Sequence, residues 1–144
     1  MTGEDDVADG LDKTLMVLLA ETTNHMMTLW KILHSHPSVA GATRGSDIRK
    51  YVRSMTDEGD IYTFEAYVEA KTRDGELFCW AADITRGSSG WELQRDVSKQ
   101  FKDGAHVVKD FDTHRFASVS ELASRHADFM VEFVKSASDF DFSQ

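Results

Sequence analysis

The fold of this chain is decided by one alternating stretch, Ile61-Tyr62-Thr63-Phe64-Glu65-Ala66-Tyr67-Val68-Glu69-Ala70-Lys71. Every second residue from Tyr62 to Ala70 is apolar or aromatic, and most of the residues between them are polar or charged. A period of two is typical of a β-strand with one buried face. Two more apolar sets follow at the same period: Phe78, Trp80, Ala82 and Ile84, and then Trp91, Leu93 and Val97, with Arg95 inside the alternation. The sequence therefore predicts two consecutive β-hairpins.

The first turn contains Asp74-Gly75, a pair that favours a two-residue hairpin loop. That loop would place Phe78 and Trp80 on the same face as Glu69 and Lys71, the polar face. A three-residue loop over residues 73–75, with Gly75 in a left-handed conformation, shifts the register by one and returns both aromatic rings to the apolar face. Burying each ring is worth ~1.5–3 kcal/mol, more than a turn preference. We therefore expect Val68 opposite Trp80 and Ala70 opposite Phe78.

The second turn, Arg86-Gly87-Ser88-Ser89-Gly90, admits two loops with the same register. A two-residue loop at Gly87-Ser88 has glycine first, as a type II′ turn requires, and a four-residue loop over residues 86–89 is the alternative. Both place Ile84 opposite Trp91, and both place Trp80 opposite Arg95, where a cation–π contact becomes feasible.

This register predicts three polar rows on the opposite face: Glu65, Asp83 and Glu92; then Tyr67, Ala81 and Gln94; then Glu69, Cys79 and Asp96. Like charges directly opposite one another in a sheet are unfavourable by roughly 0.2–1 kcal/mol per pair. The acidic row fits a solvated sheet face, a docking face for a basic protein, a divalent-cation site or a pair of catalytic carboxylates. The docking hypothesis assigns partner binding to Glu65, Tyr67, Glu69, Asp83, Glu92 and Asp96.

Composition limits the class of protein. The chain has 144 residues, 41% of them hydrophobic, and a formal net charge of −9. One domain spanning residues 1–144 is expected, with residues 1–8 and 138–144 flexible. The negative charge argues against nucleic-acid binding. A single cysteine, Cys79, excludes an internal disulfide and suits a reducing compartment, and the apolar run at residues 15–20 is too short to span a membrane. We expect a cytoplasmic protein without membrane contact.

The two ends of the chain have helical patterns. A long apolar stripe from Leu11 to Leu33 predicts a helix that Pro37 stops. Met16, Met27 and Trp30 widen this stripe, and they are the candidate contact of a homodimer. Ser118-Val119-Ser120-Glu121 is a capping box that predicts a second helix to about Ser136. Residues 39–46 are expected to form a loop, residues 47–55 fit either a strand or a helix with strand favoured, and residues 105–111 suggest a short edge strand.

Catalytic chemistry has little support in the sequence. His34 and His36 could contribute two ligands to a metal, but a structural zinc site needs four. Cys79 is expected beside Glu69 and Asp96, and carboxylates raise the pKa of a thiol, so it is a poor nucleophile. We expect neither catalytic nor metal-binding residues, and no cofactor.

These observations together predict an α+β fold, with an antiparallel four- to five-strand meander and the N- and C-terminal helices packed on one face. In its order of elements, such a small acidic chain resembles bacterial immunity proteins and secretion chaperones. That resemblance implies a non-catalytic protein-binding module, and the acidic sheet face adds the expectation of a basic partner. The alternative is a small-molecule-binding or enzymatic domain with a pocket between the sheet and the helices.

Overall fold

The computed structural model describes residues 3–52, 60–87 and 90–144. In chain order the elements are α1 (Gly3–His34), β1 (Val39–Val52), β2 (Asp60–Thr72), β3 (Leu77–Gly87), β4 (Gly90–Phe101), β5 (Gly104–Phe116) and α2 (Val119–Ser136). The five strands form one antiparallel sheet in the order β1-β2-β3-β4-β5. Helix α1 packs on β1 and β2, α2 packs on β4 and β5, and the two helices contact each other. The predicted α+β meander is confirmed.

The hairpin of β2 and β3 has the predicted register. Val68 lies opposite Trp80 and Ala70 lies opposite Phe78. Gly75 has a φ of 89°, and the amide of Thr72 donates to the carbonyl of Glu76 across the turn. The turn is therefore the three-residue loop, because this loop alone keeps both aromatic rings on the helix-covered face.

The register of β3 and β4 is shifted by two residues from the prediction. Ile84 lies opposite Leu93 rather than Trp91, and Trp80 lies opposite Val97 rather than Arg95. The ladder extends to a Gly87–Gly90 pair, one step further than a loop at Gly87-Ser88 would allow. A shift of two keeps every side chain on its face, so the pattern of burial could not distinguish the two registers.

Both edge strands are longer than the sequence suggested. Residues 39–46 belong to β1 and are not a loop, and the strand interpretation of residues 47–55 is confirmed as far as Val52, since residues 53–55 lie outside the described part. The indole Nε1 of Trp30 donates to the carbonyl of Ala42 at 2.8 Å, so α1 covers part of this open edge. Strand β5 continues to Phe116 past irregularities in its ladder, where Asp112 has a φ of 66°.

The helices begin and end for local reasons. Helix α1 begins at Gly3, before the apolar stripe that starts at Leu11, and ends at His34, three residues before Pro37. Helix α2 has the predicted cap, in which the Ser118 hydroxyl accepts a hydrogen bond from the amide of Glu121 at 3.1 Å. The Glu121 carboxylate in turn accepts from the amide of Ala117. These contacts satisfy backbone donors that the first helical turn leaves free.

The core lies between the helices and the inner face of the sheet. Its buried residues include Leu18, Phe64, Trp80, Leu93 and Leu122. Phe129 is only partly buried, because its ring lies at the rim against His114, with centroids 4.2 Å apart.

Residues 138–144, here named the strap, follow α2. The sequence analysis treats them as flexible, but the structure packs Phe140 and Phe142 against Phe78 and Trp80 at one end of the core. Phe140 is buried, and Phe142 is partly buried. Alternating Asp139-Phe140-Asp141-Phe142 supplies two rings to the core and leaves Asp139 and Asp141 exposed.

Candidate functional site

The sheet face turned away from both helices, here named the outer face, carries a concentration of carboxylates. Strand pairing aligns Asp47, Glu65 and Asp83 with Gln94 in one row. The next row along the strands holds Tyr67, Ala81, Asp96 and Asp110, and the one after it holds Glu69, Cys79 and Ser98. We name six of these residues the acidic band: Asp47, Glu65, Glu69, Asp83, Asp96 and Asp110.

The pKa of the Cys79 thiol reflects the negative charge of this band. Burial, followed by the negative charges of Glu69, Glu65, Asp96 and Asp83, raises the pKa of Cys79 to about 12. Four carboxylates on three strands therefore act on one side chain near the centre of the sheet. The expectation that carboxylates raise the pKa of this thiol is confirmed, and such a thiol is not a nucleophile at neutral pH.

Asp96 occupies an unfavourable position within the band. Burial, and then the charges of Asp110 and Glu65, raise the pKa of Asp96 above its usual value. Asp110 lies directly opposite on β5. Because the ionised form is the disfavoured one, the charge of Asp96 opposes folding at neutral pH.

The band has an aromatic residue at one side and positive charges at both ends. A side chain on Gly45 would place its Cβ 2.5 Å from the hydroxyl of Tyr67, so this ring extends over the glycine of the neighbouring strand. Lys71 lies beyond the band at one end of β2. At the other end, Arg115 forms an exposed ion pair with Glu92 at 3.0 Å.

The corrected register changes the membership of the predicted site. Glu65, Tyr67, Glu69, Asp83 and Asp96 share the outer face in adjacent rows. Glu92 lies outside the band, because the two-residue shift places it in a row with Thr85 and Arg115. Sequence analysis missed Asp47, which lay in a segment interpreted as ambiguous, and Asp110, whose facing depends on the irregular ladder of β5.

The candidate oligomer contact is divided by the fold. Met16 is 66% exposed, with Val17 beside it at 57%. Met27 and Trp30 are partly buried, and the Trp30 ring stacks on His34 with centroids 4.7 Å apart. The three residues therefore do not form one continuous exposed patch, and the homodimer remains a prediction.

In the described residues, no three histidine, cysteine or acidic side chains are grouped closely enough to hold a metal ion. The cavity between α1 and the sheet, lined in part by Met26, Arg44 and Tyr67, has a volume of about 60 Å³. This cavity is smaller than the ~300–1,000 Å³ that is typical of binding sites for small organic molecules.

Two polar groups are buried on the inner side of the sheet, Arg95 and His126. The guanidinium of Arg95, 1% exposed, donates from Nη1 to the carbonyl of Phe129 and from Nη2 to that of Phe111, both at 2.7 Å. The guanidinium lies over the rings of these two phenylalanines. They are its cation–π partners in place of Trp80, which the sequence analysis expected. His126 on α2 contacts Thr22 on α1, with 2.8 Å between Nε2 and Oγ1. Both groups have structural roles.

Comparison with known proteins finds no match among protein-family models, curated proteins or solved structures. In the described ranges, neither helix combines the length and the apolar character that crossing a membrane requires.

Proposed function

We propose that this protein is a non-catalytic binding module whose outer sheet face docks a basic segment of a partner protein. The observation that carries the proposal is the convergence of Glu65, Glu69, Asp83 and Asp96 on Cys79, on the face that the helices leave uncovered. Such a potential attracts lysine and arginine side chains and increases the rate of encounter with a basic surface.

The dimensions of the band suit a polypeptide. Neighbouring strands are ~4.8 Å apart, and successive rows on one face are separated by two residues, about 7 Å. Three rows across five strands therefore cover a surface on the scale of a helix or a pair of strands, larger than a single ion needs. Tyr67 lies at the side of this surface, where an aromatic ring can serve as an anchor.

The cost of the band supports a role in binding. The carboxylate of Asp96 is destabilised in the folded protein, and an asparagine of nearly the same shape would relieve it. Residues that lower stability without a local benefit are frequent at functional sites. Asp47 and Asp110 are exposed, but the other four carboxylates of the band are partly buried, which a fully solvated face would not require.

The experiment compares two double variants with equal charge changes. Glu65→Gln with Asp96→Asn neutralises the band, while Asp128→Asn with Asp139→Asn neutralises two exposed carboxylates outside the band. Each tagged protein is used to capture partners from a lysate of the source cells at low and moderate salt, and the affinity of an octalysine peptide is measured by calorimetry.

We expect the band variant to lose the salt-sensitive partner and most of its affinity for octalysine, and the control variant to retain both. Salt should weaken binding to the wild-type protein more than to the band variant. Equal losses in the two variants would mean that net charge alone attracts basic chains, and the proposal would then fail.

A further inference from the structure

One side of α1 presents apolar side chains to solvent. Met16 and Val17 are 66% and 57% exposed, and Ala20 is exposed beside them. Lys13 lies one turn before Val17 and Glu21 one turn after it, and both are also exposed. Residues four apart are neighbours on the surface of a helix. Lys13, Val17 and Glu21 therefore form one line, here named the α1 ridge, with Met16 and Ala20 in the next line.

Helix α2 leaves the α1 ridge uncovered. A groove of about 300 Å³ lies between the two helices, and the ridge forms one of its walls. Leu18 of α1 and the small side chain of Ala123 of α2 complete its lining. A further helix can therefore approach the ridge without displacing any element of the fold.

The charges of the α1 ridge are complementary to those of an identical ridge that runs in the opposite direction. Lys13 and Glu21 lie at equal distances on either side of Val17, and neither forms an ion pair with another described residue. A two-fold axis at Val17 would bring Lys13 of each copy beside Glu21 of the other. Burial lowers the pKa of His25 although the charge of Glu21 raises it, so at pH 8 His25 is neutral and does not compete for Glu21.

The geometry of helix packing allows this contact. When two helices pack through lines of residues four apart, the line of one helix fits between two lines of the other, at a crossing angle of about 50°. The α1 ridge of one copy would then lie between the ridge of the other and the line of Met16 and Ala20. The apolar side chains meet at the centre, and the charged ones lie at the two ends.

The distribution of charge along α1 favours the antiparallel direction. The residues before Lys13 include five acidic ones: Glu4, Asp5, Asp6, Asp9 and Asp12. The part of α1 after Glu21 has no acidic residue, and it contains Lys31 and two histidines. A parallel pair would bring the two acidic ends together, whereas an antiparallel pair directs each acidic end towards the basic half of the other helix.

We propose that a second copy of this chain docks on the α1 ridge, so that two α1 helices pack antiparallel about a two-fold axis at Val17. Of the residues that the sequence assigned to a homodimer, Met16 belongs to this surface, whereas Met27 and Trp30 are partly buried within their own subunit. The outer face lies on the other side of the sheet from α1, so it remains open in the dimer and plays no part in the proposal.

The test measures the mass of the full-length chain by sedimentation over a range of concentrations at pH 8. The wild-type mass should rise towards twice that of the monomer. Lys13→Glu and Glu21→Lys should each weaken dimerisation about tenfold, because each loses two exposed ion pairs and gains like charges in their place. An equimolar mixture of the two variants should dimerise as the wild type does, because each mixed pair again has opposite charges.

The controls make the same changes of charge elsewhere. Lys135→Glu and Asp128→Lys alter exposed residues of α2 and should leave dimerisation unchanged. Circular dichroism establishes that each variant is folded. If a charge variant does not fold, Val17→Asp serves instead: it places two carboxylates at the axis and should abolish the dimer, whereas Val131→Asp, at another exposed helical position, should not.

Three results would overturn the proposal. The first is a wild-type protein that stays monomeric at millimolar concentration. The second is a dimer that the folded ridge variants form as readily as the wild type does. The third is a mixture of Lys13→Glu and Glu21→Lys that associates no better than either variant alone, because reciprocal pairing of the two residues would then be absent.

Discussion

Lowering the pH from 7 to 5 is expected to destabilise this protein by about 2 kcal/mol through one side chain, His126. The ring is fully buried between α2 and α1. The hydroxyl of Thr22 donates its proton to the carbonyl of Leu18 at 2.8 Å, so it can only accept from the ring. Nε2 of His126 therefore carries the proton, and the buried Nδ1, which has no partner among the described residues, is the bare nitrogen.

The magnitude follows from the difference in pKa between the folded and unfolded chains. Burial, and then the nearby charge of His25, lower the pKa of His126 from 6.5 to about 4. In the unfolded chain, the His126 ring therefore binds the proton that makes it cationic more readily than in the folded chain. The folded state loses stability as the pH falls from about 6.5 toward 4. The full loss is about 3 kcal/mol at ~1.4 kcal/mol per unit, of which about 2 kcal/mol is lost by pH 5.

The assay is urea unfolding at pH 7 and pH 5, for the wild-type protein and for His126→Gln. The glutamine amide can donate to Thr22 as Nε2 does, but it does not titrate, so this variant should lose less stability between the two pH values. His25, with its ring centroid 5.9 Å away, is also expected to titrate below its usual pKa, and both proteins retain it. Equal losses in the two proteins would refute the assignment to His126.

Four further predictions test other parts of the structure. Leu122→Ala should cost about 2–5 kcal/mol in urea unfolding, and a near-neutral result would mean that α2 is peripheral. Arg95→Lys should cost about 3 kcal/mol of unfolding free energy, because an ammonium cannot reach two carbonyls as the guanidinium does. Glu132→Gln should cost less than about 1 kcal/mol, since Glu132 is exposed. Similar losses in the two variants would contradict this role of Arg95. Iodoacetamide should alkylate Cys79 at pH 8 about a thousand times more slowly than a free thiol, because burial and then the carboxylates of the band raise its pKa to about 12, and an ordinary rate would contradict this raised pKa. Asp96→Asn should raise stability at pH 7 by a few tenths to about 1 kcal/mol, and a loss would show that this carboxylate is paired in the fold.

The alternation of β2 and β3 was sufficient to predict the fold and the first hairpin. A shift of one residue there would have buried Glu69 and exposed Trp80, so the hydrophobic effect selects one register. Between β3 and β4 the competing registers differ by two residues, and both bury the same side chains. The structure pairs Gly87 with Gly90, and the alternation of apolar residues contains no signal for this choice.

The candidate site could be predicted by face, and by row only between β2 and β3. Glu65, Tyr67 and Asp83 were placed correctly on the outer face, because facing follows from a period of two. Glu92 was assigned to the wrong row, since its position depends on the register of β4. The strap was missed because alternating aspartate and phenylalanine predicts neither a helix nor a long strand, and only the tertiary structure reveals the socket for Phe140.

Adjacent residues on β4 show how differently the fold treats its two faces. Arg95 points inward, and its buried charge is balanced by two carbonyls at 2.7 Å and by Glu132 at 3.6 Å. Asp96 points outward, where burial and then the like charges of Asp110 and Glu65 raise its pKa. Selection for stability alone would compensate both charges or remove the second, since a buried charge is costly until it is paired. Among the described residues no ion pair compensates Asp96, and this is the place on the outer face where the proposed basic partner would supply a cation.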